Sequence, residues 1–180
     1  GYGYIIGRGV KQDFQEAEKW WRKAAANGNA LAQYMLGGLY ARGEKRVEQD
    51  QQEAVKWFRK AAEQGNANAQ QVLGVMYGGG EGVKQDINQS MRWHRRAAMQ
   101  GLASAQYSLG QIYWNGIGVG RNLPEAYAWF HIAAINGSVV ARKSKSRIAK
   151  KMTADEIFAG FEMAKNLRNM FNSNAEEKPN

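Results

Sequence analysis

The side chains that most often carry catalysis or hold metals are scarce in this sequence of 180 residues. Its only histidines, His94 and His131, are 37 residues apart, and there is no cysteine. Acid–base catalysis and zinc binding both need several suitable side chains that converge on one point. Neither histidine has a second one three or four residues away. We therefore predict no catalytic residue, no metal site and no cofactor, and we expect both histidines to serve packing or the surface.

Glycine-rich segments before helices could instead cradle a phosphate group. Three of them occur, with the sequences GRGV, GGGEGV and NGIGVG, but none fits a nucleotide-binding pattern. Asp13, Asp50 and Asp86 follow loops of this kind, and their carboxylates would occupy the helix ends that an anion would need. We interpret these segments as hairpin loops between helices.

Basic residues exceed acidic ones, 25 to 16, which gives a formal net charge of +9. Residues 138–151 lack acidic side chains but hold six basic ones, here called the basic patch: Arg142, Lys143, Lys145, Arg147, Lys150 and Lys151. Such a patch can attract an acidic partner or an anionic lipid. It can equally be the solvated side of a terminal helix whose other side is Ala141, Ile148 and Met152. Nucleic-acid binding would rest on charge alone, and we do not expect it.

The composition is that of a folded helical protein. Hydrophobic residues make up 44% and charged residues 23% of the chain, which argues against wholesale disorder. Only two prolines occur, which favours helices. The absence of cysteine excludes a disulfide framework. No apolar run approaches the ~20 residues of a membrane span, so no transmembrane segment is expected.

The aromatic residues recur at a fixed interval. Trp20, Trp57, Trp93 and Trp129 are separated by 37, 36 and 36 residues. The same register is kept by three tyrosines, Tyr40, Tyr77 and Tyr113, and by the Leu-Gly pairs that end at Gly37, Gly74 and Gly110. A period of this length is typical of a helical solenoid, whose units bury their apolar faces on one another. We therefore expect these tryptophans and tyrosines in the core.

Each repeat is predicted to contain two helices, A and B. Helix A is expected at roughly 30–42, 67–78 and 103–115, and helix B is expected to end at Gly28, Gly65, Gly101 and Gly137. Helix B should begin at Asp13, Asp50, Asp86 and Asn122, each followed three residues later by Glu or Gln as in a capping box. Glycine inside a helix costs about 1 kcal/mol relative to alanine. Its repetition at Gly37, Gly74 and Gly110 therefore predicts close helix–helix approach, with the paired alanines of helix B as the facing surface.

The pattern A-x-x-W-[WF]-x-x-AA-x-x-G, with segments such as AQYMLGGLY and AQYSLGQIYWNGIGV, resembles the Sel-one-like repeat family, a relative of the tetratricopeptide repeat. The resemblance covers about residues 1–137. It implies an all-α, right-handed α/α superhelix of stacked antiparallel helix pairs, with helix A on the concave face. Members of that family mostly bind other proteins. The departures are an inserted residue near Lys45, Ser90 at the helix-B alanine, and Leu102 where Asn29 and Asn66 stand.

The expected organisation follows from this register. A truncated leading repeat covers 1–28, three repeats cover 29–65, 66–101 and 102–137, capping helices cover 138–172, and a polar tail covers 173–180. The capping pair is predicted from a capping box at Thr153–Glu156 and an apolar stripe of Ile157, Phe161, Ala164, Leu167 and Phe171. A solenoid needs such a cap to cover its last open face.

Function is expected where the repeats differ from one another. By analogy with tetratricopeptide repeats, the partner-binding positions on the concave face are Tyr34, Arg42, Gln71, Tyr107, Gln111, Trp114 and Asn115. Trp114 replaces Ala41 and Gly78 of the earlier repeats, so we expect it to be exposed on the ligand-facing wall. The alternative is that its exposed ring covers the loop at 116–120. The sequence thus predicts a non-enzymatic scaffold that binds a protein or peptide, with the partner and the oligomeric state left open.

One alternative is enzymatic. A few cysteine-rich secreted relatives have been linked to β-lactam hydrolysis or penicillin binding. The absence of cysteine and of a Ser-x-x-Lys motif argues against this activity, because Ser144 and Ser146 are followed three residues later by Arg147 and Ala149. The family resemblance favours a soluble periplasmic or secreted protein over a cytoplasmic one. The chain opens on Gly1 in mid-pattern, so the sequence leaves the compartment open.

Overall fold

The computed structural model describes the backbone of residues 14–43 and 48–176, and the side chains of residues 16–43 and 48–171. In this part of the chain there are nine α-helices and no strand. The helices are α1 Phe14–Ala26, α2 Ala30–Arg42, α3 Gln51–Glu63, α4 Ala67–Gly79, α5 Ile87–Met99, α6 Ala103–Asn115, α7 Leu123–Ile135, α8 Val139–Ala149 and α9 Ala154–Glu176. The predicted all-α repeat fold is confirmed, and α9 continues into the segment expected to be a polar tail.

The chain forms two compact units, Gly1–Ser90 and Met91–Asn180. In the first unit α2 packs against α1 and α3, and α3 packs against α4. In the second unit α7 is the central helix, and it packs against α6, α8 and α9.

Helix B begins where the capping residues predict. Asp50, Asp86 and Asn122 each accept a hydrogen bond from the backbone N–H three residues later, at 2.9, 3.0 and 3.1 Å. Thr153 and Glu156 exchange the two hydrogen bonds of a full capping box. The cap predicted at Asp13 lies outside the described residues.

Helix A uses caps that the sequence analysis missed. Asn29 and Asn66 accept hydrogen bonds from the backbone N–H groups of Ala32 and Ala69. Leu102, which replaces them at the start of α6, makes no side-chain cap. The signal was present, because asparagine is among the best N-cap residues and stands directly before each helix.

The mid-helix glycines do mark close approach, but to a different partner than expected. A Cβ atom built on Gly37 would lie 2.6 Å from the ring of Phe58, and one on Gly110 would lie 2.5 Å from the ring of Phe130. The facing residue is thus the second aromatic of the helix-B pair, not the paired alanines. The paired alanines of helix B are too short to fill the space beside Gly37 and Gly110 that these phenylalanine rings occupy.

The expectation that the first tryptophan of each pair is a core residue is wrong for Trp20. Its side chain is 47% exposed, whereas Trp93 and Trp129 are buried and Trp57 is partly buried. Adjacent helical residues point about 100° apart, so only one member of the pair can face helix A. The second member, Trp21, Phe58, His94 or Phe130, is buried in every described repeat. Trp129, the first member of the last pair, is covered by Phe171 of α9, with ring centroids 6.4 Å apart.

Buried glutamines link successive elements, and the sequence analysis did not anticipate them. Gln33, Gln70 and Gln106 donate from Nε2 to the carbonyls of Ala25, Ala62 and Ala98 at 3.2, 2.9 and 3.0 Å. Asn136 Nδ2 in turn donates to Gln106 Oε1 at 2.9 Å. Their recurrence after alanine, in register with the repeat, was the available signal.

The C-terminal helix α9 covers α7 but not with all of its predicted stripe. Ala164 is buried beside Ala128 and Ile132, and Leu167 and Phe171 pack against the same group. Phe161, predicted to be part of the buried stripe, is 47% exposed. It lies one helical turn before Ala164, with its ring centroid 5.6 Å from that of His131 in a T-shaped arrangement, where the contact with α7 opens towards solvent.

Candidate functional site

All four of the predicted partner-binding residues of the second unit lie on α6. We call Tyr107, Gln111, Trp114 and Asn115 the α6 surface; the first three are partly buried and Asn115 is exposed. The rings of Tyr107 and Trp114 both contact Phe130, with centroid distances of 5.5 and 5.8 Å. Phe130 therefore forms an aromatic floor under this surface.

The expectation that Trp114 is exposed and outside the core is wrong, because its side chain is partly buried. Its ring meets Phe130 edge-on at an interplanar angle of 89° and belongs to the periphery of the core around α7. The physical reason is Gly110, which lets Phe130 approach α6 closely enough to reach the next turn. Trp114 is thus held in place by the core while part of its surface remains accessible.

The structure brings one residue of the basic patch to this surface. The guanidinium of Arg147 on α8 lies 5.8 Å from the centroid of the Trp114 ring, within the range of a cation–π contact. From the sequence, Arg147 and Trp114 were predicted to belong to separate sites. Only the packing of α8 places them side by side.

The rest of the basic patch does not form one continuous site. Arg142, Lys143, Lys150 and Lys151 are exposed. Lys145 is partly buried, with Nζ 3.3 Å from His131 Nδ1 and 5.9 Å from the centroid of the Tyr127 ring. The opposite side of α8 is buried at Ala141 and Ile148, as expected if the basic patch is the solvated side of a terminal helix.

Gln111 has an unused hydrogen-bonding atom. Its Oε1 is buried and accepts no hydrogen bond from any group in the described part of the chain. Leaving a buried acceptor unsatisfied costs about 1–3 kcal/mol. Because this oxygen is buried, only the accessible part of the Gln111 side chain could contact a partner.

Among the predicted partner-binding residues of the first unit, Tyr34 also packs on a buried aromatic residue. Tyr34 is partly buried, and its ring centroid lies 5.7 Å from that of Phe58, which occupies the repeat position of Phe130. Arg42 is exposed at the end of α2, and Gln71 is partly buried on α4. Tyr34 on Phe58 thus repeats the arrangement of Tyr107 on Phe130.

The repeated tyrosines are tied to helix B by arginines, which the sequence analysis missed. Arg59 donates to the Tyr77 hydroxyl at 2.6 Å and Arg95 to that of Tyr113 at 3.1 Å, and Arg22 makes the same bond to Tyr40. Burial, together with a hydrogen bond to Glu18, raises the pKa of Tyr40 to about 12. These arginine–tyrosine pairs hold the helices in register. Each arginine precedes its tyrosine by 18 residues, and this constant spacing could have predicted the pairs from the sequence.

The two histidines differ in environment. His94 is 4% exposed, at the repeat position of Phe58 and Phe130, and burial lowers its pKa to about 4. His131 is partly buried, and its pKa is lowered first by burial and then by the positive charges of Lys145 and Arg168. No cluster of three or more His, Cys, Asp or Glu side chains able to hold a metal exists within residues 16–43 and 48–171. Among the described helices, none has the length and apolarity needed to cross a membrane.

Comparison with known proteins identifies the repeat. The Sel1 repeat model matches residues 1–29, 30–66, 67–102 and 103–138. No functionally curated protein matches the sequence.

Two solved structures resemble this chain closely. The first is c5321, a protective antigen present in uropathogenic Escherichia coli strains that displays an SLR fold; it is 34% identical, with a TM-score of 0.84 over 99% of this chain. The second is a Sel1 repeat protein from Oxalobacter formigenes, 32% identical, with a TM-score of 0.79 over 92% of this chain and 69% of its own. The chain spans only 39% of the length of c5321.

Proposed function

The chain belongs to the Sel1 repeat family, whose members generally act as protein–protein interaction scaffolds, and we propose that it too works by binding a protein or peptide partner. The α6 surface, together with Arg147, is the proposed contact site in the second unit. Tyr34, Arg42 and Gln71 are the proposed contacts in the first.

The observation that carries this proposal is the meeting of Tyr107, Trp114 and Arg147 above Phe130. Tyrosine, tryptophan and arginine are the residue types over-represented in binding hot spots. Both rings are held by a core residue, so little side-chain entropy would be lost when a partner covers them. The repeat itself does not require Trp114, since Ala41 and Gly78 stand at the equivalent positions.

The chemistry of this surface favours a partner segment that is both acidic and apolar. Arg147 offers a planar cation for a carboxylate. Arg142 and Lys143 are exposed and add positive charge to the same helix. The two rings offer apolar contact to a neighbouring side chain. The net charge of +9 would also speed the encounter with an acidic partner at low ionic strength.

Affinity capture from a lysate of the source cells, with quantification of each recovered protein, tests this proposal. The baits are the wild-type chain, Arg147→Gln and the matched control Arg142→Gln, which removes the same charge from an exposed position of α8. We expect a defined set of proteins to be recovered by wild type and by Arg142→Gln but depleted with Arg147→Gln. If both variants recover the same proteins as wild type, the proposed site is wrong.

We also propose that binding, and not catalysis, is the activity of the chain. Sel1 repeat proteins are typically non-enzymatic scaffolds. Ser144, next to a lysine in sequence, is buried on α8 and therefore poorly placed to attack a substrate. Incubation of the purified protein with a chromogenic β-lactam should release no more product than buffer alone. Turnover that scales with protein concentration and is lost on heat denaturation would contradict the proposal.

A further inference from the structure

A cleft opens in the second unit between α7 and α9, away from the α6 surface. Its volume is about 570 Å³, within the range of roughly 300–1,000 Å³ that is usual for ligand pockets. Apolar walls come from both helices, at Ile132, Ile135, Phe161, Ala164 and Phe171. Its polar side chains are His131, Asn136, Lys165, Arg168 and Asn169.

The charges around this cleft are predominantly positive. Lys165 and Arg168 line it from α9, and Lys145 approaches His131 from α8. The carboxylate of Glu162 lies 3.6 Å from Lys165 Nζ and offsets that charge in part. Arg168 has no ion pair with any side chain within residues 16–43 and 48–171. One cation at the cleft thus lacks a partner among the described side chains.

His131 contributes an uncharged face. Burial and the nearby cations lower its pKa, so the ring is neutral at pH 7. If the Lys145 ammonium donates to Nδ1, the proton of the neutral ring must reside on Nε2, which is then a donor. Phe161 meets this ring edge-on at 5.6 Å and Tyr127 stacks on it at 6.0 Å. The ring therefore lies within an aromatic cluster at the cleft.

We infer that this cleft binds a carboxylate carried on an apolar body, with Arg168 as the principal charge partner and Phe161, Ile132 and Ile135 as the apolar contacts. A free organic acid and a glutamate flanked by apolar residues in a peptide present the same chemistry. The site is separate from the α6 surface, and it stands on its own observations.

The experiment measures binding of octanoate and of its uncharged analogue octanamide by NMR, following the imidazole C–H resonances of His131. The resonances locate binding at the cleft, because His131 lines it. We expect octanoate to bind about tenfold more tightly than octanamide, the effect of one charge-assisted hydrogen bond. Arg168→Gln should weaken octanoate binding by about the same factor. Arg121→Gln is the matched control, because it removes an exposed cation at the opposite end of α7 and should change nothing.

A second arm distinguishes the source of the carboxylate. The capped peptide acetyl-Leu-Glu-Leu-amide is compared with its Gln counterpart by the same resonances. Preference for the Glu peptide over octanoate assigns the cleft to a peptide ligand, and the reverse assigns it to a free acid. The inference is overturned if octanoate and octanamide bind alike, if neither shifts His131, or if Arg121→Gln weakens binding as much as Arg168→Gln. None of these results bears on the α6 surface, because neither Trp114 nor Arg147 lines the cleft.

Discussion

Trp114 shows how a single residue can serve both the core and a binding surface. Its ring packs edge-on against Phe130, and Arg147 lies over it. Replacing it with alanine removes one aromatic pair and part of the buried ring, so we expect a loss of about 1–2 kcal/mol in the free energy of unfolding. Phe130→Ala, at a side chain that is 0% exposed, should cost about 3–5 kcal/mol. Urea denaturation of both variants checks this order, and equal losses would make Trp114 a core residue.

His94 should make stability depend on pH. The folded-state pKa of about 4 lies below the ordinary value of 6.5, so the unfolded chain binds the proton first as the pH falls. The contribution of neutral His94 to the free energy of unfolding is therefore lost between about pH 6.5 and 4, by roughly 3 kcal/mol in all. His94→Phe, which restores the residue type found at Phe58 and Phe130, should remove this contribution to the pH dependence of the unfolding free energy.

Chemical denaturation of wild type and His94→Phe at pH 7 and pH 4 measures the effect. The expected result is a gap in unfolding free energy that widens towards pH 4. The carboxylates that also titrate in this range are common to both proteins and cancel in the difference. A gap that is the same at both pH values would show that His94 is not buried as a neutral ring.

The site could be predicted only in part from the sequence. Tyr107, Gln111 and Trp114 were assigned to one surface by analogy with tetratricopeptide repeats, and their spacings of four and three residues fit one side of α6. Arg147 could not be assigned to that surface, since its contact with Trp114 depends on how α8 packs. The exposure of Phe161 and the packing of Trp114 on Phe130 also depend on contacts between residues far apart in the sequence, which a periodic pattern does not specify.

Helix boundaries, in contrast, follow from local signals. The capping side chains at Asp50, Asp86 and Asn122 act on backbone groups three residues away, so the sequence contains both members of each hydrogen bond. The same rule applied to Asn29 and Asn66 gives the physical cause of the starts of α2 and α4, which the repeat register had already placed near residues 30 and 67. The element that covers each tryptophan is not a local property, which is why Trp20 and Trp129 differ in exposure.

Two adjacent glycines in α2 provide a matched test of helix–helix approach. Gly37→Ala would bring a Cβ to 2.6 Å from the Phe58 ring, whereas the nearest atom to a Cβ on Gly38 is a guanidinium nitrogen of Arg42 at 3.6 Å. We expect Gly37→Ala to destabilise the protein by about 1–3 kcal/mol through overpacking. Gly38→Ala should be neutral or stabilising by up to about 1 kcal/mol, from helix propensity. Thermal melts that rank the two variants in the opposite order would contradict the close packing of α2 on α3.

At the scale of the whole molecule, α9 should be required for the stability of the second unit. Ala164, Leu167 and Phe171 pack against Ala128 and Ile132 of α7, which would be exposed without them. Each large apolar side chain buried in such a contact contributes about 1.5–3 kcal/mol. Deletion of residues 152–180 should therefore lower the melting temperature and promote aggregation. Deletion of residues 177–180 is the control and should have little effect; equal melting temperatures for the two truncations would contradict the capping role.

The regular positions of the repeats build the fold, and we propose that the positions where they differ bind the partner. The most direct test is to select peptides from a random displayed library on the immobilised protein and to map the tightest binder by NMR. We expect amide shifts to concentrate at Tyr107, Gln111, Trp114 and Asn115, and Trp114→Ala to abolish the shifts while the protein stays folded. Shifts confined to outward residues of helix B such as Trp20, or binding unchanged in Trp114→Ala, would contradict this proposal.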